Sequence, residues 1–270
     1  MWIGSPLRGA FRLASYLLLT LLLLPIHLLA LSLGLRTVVS RLPVLYHRMV
    51  CFILGIRVRV HGKRSDVTPT LFVCNHVSYL DVEVLGSLVP GSFVAKAEVA
   101  TWPFYKTLAK AQRTIFVERT SSKTSASRDE MVKRLDTGDN LMLFPEGTSS
   151  DGTRVLPFRT ALFGVAQLRR DGKPIVVQPV AISYTRLDGI PLGRYWRPLF
   201  AWFGDFDFVP HLWQMVCLGE AETVVTFFPP VDIDQFGDRK KLAEFCFRQV
   251  SSGVQAANTG RYELLPPEAA

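Results

Sequence analysis

The sequence predicts an α/β fold, a mixed and mostly parallel sheet covered by helices, carried behind an N-terminal helical membrane anchor. Three observations lead there. Residues 13–35 contain no charged side chain and are bracketed by Arg12 and Arg36. Beyond residue 56, short apolar runs alternate with stretches of helical period. Of the 270 residues, 49% are hydrophobic and 20% charged, too apolar for an ordinary soluble protein but fitting for a globular domain with an added membrane segment.

As a helix, residues 13–35 would extend about 34 Å, enough to cross a bilayer core. A cleaved signal peptide fits less well, because its apolar region is shorter and no small-x-small site follows. Pro25 and His27 interrupt the run. A second apolar segment, residues 42–56, follows with Arg41 and Arg48 on one polar side, the pattern of a helix lying at the interface. A two-helix anchor dipping into one leaflet and a single tilted span both satisfy these features. Arg8 and Arg12 precede the first run and Arg36, Arg41 and Arg48 follow it. The slight excess after the run favours a membrane-associated protein whose globular domain lies on the cytoplasmic face of the inner or plasma membrane. The anchor is placed at residues 1–56, the α/β domain at 57–258 and a frayed tail at 259–270.

Within the domain, strands are expected over residues 56–60, 71–74, 92–97, 114–117, 140–144, 175–183 and 223–228. Helices are expected over 78–88, 102–109, 127–135, 159–170 and 239–256. The fourth of these helices should end at Asp171 and Gly172. Residues 187–213 are rich in aromatics, Gly and Pro without a clean period, and read as a long insertion or lid. Pro179 lies in an apolar strand and should mark an edge or an exit. No internal repeat is present.

A net charge of +8 points to an acidic partner: lipid head groups, nucleic acid, or an acidic carrier or nucleotide thioester. The arginines are dispersed and form no concentrated basic, aromatic face, so no nucleic acid is expected. Cys51, Cys74, Cys217 and Cys246 are scattered with no CxxC pair, which signals neither zinc nor a disulfide framework. No metal and no cofactor is expected.

The chain is organised around residues 74–81, Cys-Asn-His-Val-Ser-Tyr-Leu-Asp. An apolar strand precedes this stretch, and the Ser-x-x-acid spacing within it opens a helix. With Ser78 as N-cap, Asp81 is the third helical residue and its carboxylate points back toward the turn that holds His76. On a continuous helix the two would sit about 140° apart, so they pair only if the histidine precedes the first turn. An imidazole held by a carboxylate is oriented and fixed in one tautomer, as a general base requires. The competing reading is that Asp81 only caps the helix, Asn75 and Ser78 only satisfy turn amides, and His76 is an ordinary turn residue.

Three further stretches bear on that choice. Arg113 and Arg119 stand at the ends of a strand. Phe144-Pro-Glu-Gly-Thr148 follows a buried strand directly, displaying Glu146, Gly147 and Thr148 at its carboxyl end, where open α/β sheets bind ligands. Residues 176–183 carry Val177-Gln-Pro-Val-Ala181.

Together these stretches resemble the glycerolipid acyltransferase family, typified by 1-acylglycerol-3-phosphate acyltransferases. Asn75-His76-x-x-x-x-Asp81 is similar to the family's first block and Ile115-Phe116-Val117-x-Arg119 to its second. Phe144-Pro-Glu-Gly-Thr148 is similar to the third block and Val177-Gln-Pro-Val-Ala181 to the fourth. The resemblance runs over residues 70–184 and implies transfer of a fatty acyl group from a thioester, acyl-coenzyme A or acyl carrier protein, to the hydroxyl of a membrane lysolipid. It casts His76 as the base and Asp81 as its holder, without an acyl-enzyme intermediate. It makes Arg119, Glu146, Gly147 and Thr148 binders of the acceptor's head group. The turn amides near residues 75–78 are candidate donors to the developing oxyanion.

Two positions depart from the family pattern. Arg113 stands where the second block opens with Gly, and Ser149-Ser150 stand where the third continues with Arg-Ser. Arg113, Arg154 or Arg159 would then supply the missing phosphate contact, or the acceptor carries another head group. Lysophosphatidic acid comes first as acceptor. The alternative is the lyso-ornithine lipid of a bacterial branch, which the continuation over residues 150–159 resembles. A hydrolase or thioesterase is the competing class, but no Gly-x-Ser-x-Gly elbow occurs. A catalytically silent lipid-binding protein is the third reading.

Overall fold

The computed structural model describes residues 4–96, 107–108, 111–117 and 121–261. Two long helices come first, α1 (Pro6–Ser32) and α2 (Arg36–Leu54), folded back on each other around Gly34. Helix α1 runs through Pro25 without a break.

The chain then forms β1 (Ile56–His61), β2 (Thr70–Cys74), α3 (Leu80–Gly86), β3 (Ser92–Lys96), β4 (Ile115–Val117), α4 (Ser121–Asp136) and β5 (Leu141–Leu143). A 3-10 turn (Thr160–Gln167) and the small hairpin β6 (Arg169–Arg170) and β7 (Lys173–Pro174) lead into β8 (Val176–Leu187) and β9 (Ile190–Pro191). The last elements are α5 (Phe208–Cys217), β10 (Ala221–Phe227) and α6 (Arg239–Asn258).

Among the described residues the main sheet runs β1-β10-β8-β2-β5-β3-β4, with β9 paired to β8. Every neighbouring pair on that path is parallel except β10 with β8. This is the expected mixed, mostly parallel sheet. Both of its faces are covered, so β2 is buried at every position. Leu71, Val73, Leu141 and Leu143 pack beneath α4 and α6, beside Leu135 and Leu242. Phe72, Cys74 and Met142 point the other way, toward Cys51 of α2, Leu85 of α3 and Met215 of α5.

Several expectations are corrected. Helix α3 begins at Leu80 rather than Ser78, because the first turn closes by the shorter Asp81 N–H to Ser78 O and Val82 N–H to Tyr79 O bonds. The helix expected over 127–135 starts at Ser121. The one expected over 159–170 is only a 3-10 turn to Gln167. Asp171 and Gly172, both at positive φ, are the turn of the β6–β7 hairpin instead.

Pro179 is at neither an edge nor an exit of the sheet. It sits in β8 between β2 and β10, opposite Val73. Strand β10 ends at Phe227, but the Phe228 N–H still donates to Pro179 O at 3.0 Å before the Val177–Val231 bridge. The Phe228 carbonyl, opposite the N–H that proline lacks, accepts instead from Gln178 Nε2 at 2.7 Å. The segment expected as a lid has its own structure, with β9, a 3-10 turn (Arg197–Leu199) and α5, and it buries Phe200 and Ala201. Most of the helix expected over 102–109 lies outside the described residues.

Candidate active site

Strand β2 delivers its last residues to the carboxyl end of the sheet, and the turn that follows is fastened from three sides. Asn75 clips it to β8, its Oδ1 accepting from Ile182 N–H at 2.8 Å and its Nδ2 donating to Ile182 O at 3.0 Å. The His76 N–H donates to Glu146 Oε1 at 2.7 Å. Its carbonyl accepts from Ser150 N–H at 2.8 Å.

The His76 ring stacks on Phe144, with centroids 4.2 Å apart. Its Nδ1 lies 2.8 Å from Asp81 Oδ2. The same carboxylate oxygen accepts from Val77 N–H at 2.7 Å and Ser78 N–H at 2.9 Å. Oδ1 accepts from the Tyr184 hydroxyl at 2.9 Å. Asp81 is thus fully buried and held by four donors, while the His76 side chain keeps 24% of its surface open. With Nδ1–H given to the carboxylate, the lone pair of the neutral ring is on Nε2. Asp81 reaches back to the Ser78 N–H as the capping reading requires, but Ser78 Oγ itself makes no bond.

Glu146 is a buried brace. It ties the third block to the first through His76 N–H and holds Leu156 N–H at 2.7 Å. Burial pushes its carboxyl up to about 8, against the pull of its two backbone donors. Gly147 follows with φ +65°, and a Cβ there would come within 2.8 Å of Arg159 Nε, so the arginine side chain lies directly over the glycine. Gly147, Thr148 and His76 line one cavity of about 220 Å³. The other walls of this cavity come from Phe93 and Val94 of β3, Leu23 and Leu24 of α1, and Pro43 of α2. Both N-terminal helices are therefore walls of the space into which His76 opens. Among the described residues no cluster of ligands for a metal is found.

The structure brings together His76, Asp81, Glu146, Gly147, Thr148 and Arg159. Arg113 is elsewhere. It precedes β4, at the amino end of a parallel strand and thus across the sheet from His76, where its guanidinium pairs with Asp139. A strand of only three residues separates the sheet's two ends at this edge, and Arg113 falls on the wrong one. Arg119 lies outside the described residues. The turn amides expected to meet an oxyanion are already used: those of His76, Val77 and Ser78 all donate to carboxylates. Tyr184 and the stacking ring of Phe144 were not anticipated as parts of the site. Only the position of Tyr184 just past the fourth block could have pointed to it.

A buried carboxylate holding a partly exposed imidazole, beside an apolar cavity walled by two exposed apolar helices, is an arrangement suited to an enzyme of lipid substrates. The sequence pattern of the Acyltransferase family matches residues 57–183. The chain is 45% identical over 225 residues to the lyso-ornithine lipid O-acyltransferase of Brucella abortus, covering 82% of this chain and 84% of that protein. It is 31% identical over 175 residues to the 1-acyl-sn-glycerol-3-phosphate acyltransferase of Neisseria gonorrhoeae, covering 64% of this chain and 65% of that protein. Its fold matches the crystal structure of the 1-acyl-sn-glycerophosphate acyltransferase of Thermotoga maritima with a TM-score of 0.57, at 21% identity, over 90% of this chain and 96% of that one. The protein belongs to the acyltransferase family.

Proposed function

We propose that the protein moves a fatty acyl group from a thioester, acyl-coenzyme A or acyl carrier protein, to the free hydroxyl of a lysolipid. The observation that carries this reading is the His76–Asp81 pair, 2.8 Å apart, at the mouth of the apolar cavity. His76 Nε2 takes the hydroxyl proton as the oxygen attacks the thioester carbonyl. The tetrahedral intermediate collapses, the C–S bond breaks, and the departing thiolate receives the proton back from His76. Asp81 stays on Nδ1–H throughout and steadies the imidazolium. Thr148 and Arg159 flank the place where the acceptor's head group would lie.

Two acceptors suit this chemistry. 1-Acylglycerol-3-phosphate fits the family as a whole. Lyso-ornithine lipid is favoured by a specific observation: the relative named for it is 45% identical, against 31% for one named for the phosphate acceptor. The local structure is consistent with this preference. Ser149, where the family pattern has arginine, spends its hydroxyl on Trp202 O and offers no cation to a phosphate.

The protein would rest on the membrane through α1 and α2. Phe11, Leu21, Leu29 and Phe52 are exposed on them at 59% or more. Helix α1 touches the domain near both ends, Arg12 Nη1 donating to Leu218 O at 2.7 Å and His27 Nε2 meeting Ala111 O at 2.9 Å. Those residues lie about 22 Å apart along the helix. A helix fastened along that length lies flat on its domain, which favours the two-helix anchor in one leaflet over the tilted span. The slight basic excess after the first run supports the cytoplasmic face.

The test is a labelled acyl thioester offered with each lysolipid to the full-length protein in vesicles. Labelled two-chain lipid is expected, falling about 10²- to 10⁴-fold in His76→Ala. Free fatty acid without acylated lipid would replace the reading with a thioesterase.

A further inference from the structure

The segment between β8 and α5 is fastened on its inner side and greasy on its outer side. Inside, the Trp202 N–H donates to Val77 O at 3.0 Å, and Arg197 Nη2 donates to Asn258 O at 2.5 Å. The segment is therefore bolted to the turn that carries His76, and Trp202 lines the cavity. Outside, Ile190 is 70% exposed, Tyr195 85% and Val209 72%, with Trp196 and Phe206 each close to half exposed. Tyr195 and Trp196 stand edge to face, with centroids 5.4 Å apart. Single exposed apolar residues are ordinary, but five within twenty positions, two of them aromatic rings in contact, call for a partner.

The adjoining element identifies that partner. Helix α5 carries no charged residue and packs beside α1, where the Ser5 N–H donates to Cys217 O at 2.9 Å and Gly9 approaches Cys217 Sγ and Trp213. Helix α5, which carries Val209 in its first turn and Cys217 at its end, thus links this segment to the start of α1. Tyr and Trp are the side chains that settle at head-group depth, apolar ring inward and polar edge in water. Arg194, beside them, is exposed and suited to lipid phosphates, whereas Asp205 and Asp207 on either side of Phe206 keep that end shallow.

We propose that residues 190–209 are a second membrane seat, occupied by the head-group layer of the same leaflet that receives α1 and α2. This rests on the membrane reading above and adds to it. With α1, α2 and Trp202 of this segment all lining the cavity, a single-chain lipid reaches His76 by sliding laterally out of the leaflet, without crossing water.

All four native cysteines are buried, so single introduced cysteines can be labelled selectively. Tyr195→Cys and Val209→Cys carry a bimane fluorophore in the full-length protein bound to phosphatidylcholine–phosphatidylglycerol vesicles. Leu21→Cys on α1 is the reference for the anchor, and Asp171→Cys in the β6–β7 turn is the reference for water. The expected result is that lipid-borne nitroxide quenches the labels at 195 and 209 as it does at 21, and several-fold more than at 171. Iodide should show the opposite order. If 195 and 209 follow 171 while 21 is quenched from the lipid, the second seat is refuted and the anchor stands. If 21 also follows 171, the membrane reading fails and this one falls with it.

Discussion

Removing the Tyr184 hydroxyl separates the support of Asp81 from everything else the tyrosine does. In Tyr184→Phe the ring remains stacked on Phe200, whose centroid is 5.2 Å away and nearly parallel, so packing is preserved. Only the 2.9 Å bond to Asp81 Oδ1 is lost. Both side chains are buried, and a hydrogen bond to a carboxylate contributes about 1.5–3 kcal/mol. Oδ2 keeps its two backbone donors and His76, so the carboxylate stays in place but becomes freer to rotate. If about half of that energy is spent on holding the imidazole, kcat should fall about 3- to 12-fold with KM little changed. The assay is acyl transfer from a labelled thioester to lysolipid in vesicles, run on Tyr184→Phe, His76→Ala and the double variant. On the proposed mechanism Tyr184 acts only through His76, so its removal should change nothing further once His76 is gone. The reasoning is refuted if kcat is unchanged, or if the loss in the His76→Ala background equals that in the wild type.

Three other outcomes follow from the site. Gly147→Ala meets both a φ of +65° and Arg159 Nε at 2.8 Å, so it should cost about 1–2 kcal/mol in stability and raise KM for the acceptor, read by thermal melting and by kinetics. Glu146, at about 8 when folded against an ordinary 4.5, binds more protons folded than unfolded between those values. Its contribution to stability is therefore full below about pH 4.5 and is lost as pH rises to about 8, and Glu146→Gln should flatten that slope in Tm against pH. Leu24→Trp fills the cavity from α1 and should shift donor preference to shorter chains in a series of acyl thioesters.

Much of this was legible from local pattern. The uncharged run and the one after it mark α1 and α2, and the five-residue spacing of His76 and Asp81 has one sensible geometry. What the sequence hid depends on distant partners. Tyr184 reaches Asp81 across 103 positions, and Glu146 reaches the His76 amide across 70. Neither bond leaves a periodic trace. Arg113 was misread because a charge at a strand's end does not declare which end of the sheet it occupies. Pro179 is tolerated inside the sheet because Gln178 Nε2 serves the Phe228 carbonyl, a pairing that no local pattern declares. Residues 159–170 look helical in composition, but the turn at Asp171 and Gly172 draws the chain into a hairpin instead.

On the membrane reading proposed above, helices α1 and α2 fasten the protein to lipid while also walling the cavity where the hydrocarbon tail would lie. Such an attachment is not interchangeable with a generic tether. Substitutions that tune how the molecule floats on its leaflet also reshape the slot, so affinity for the surface and choice of tail length are inherited together.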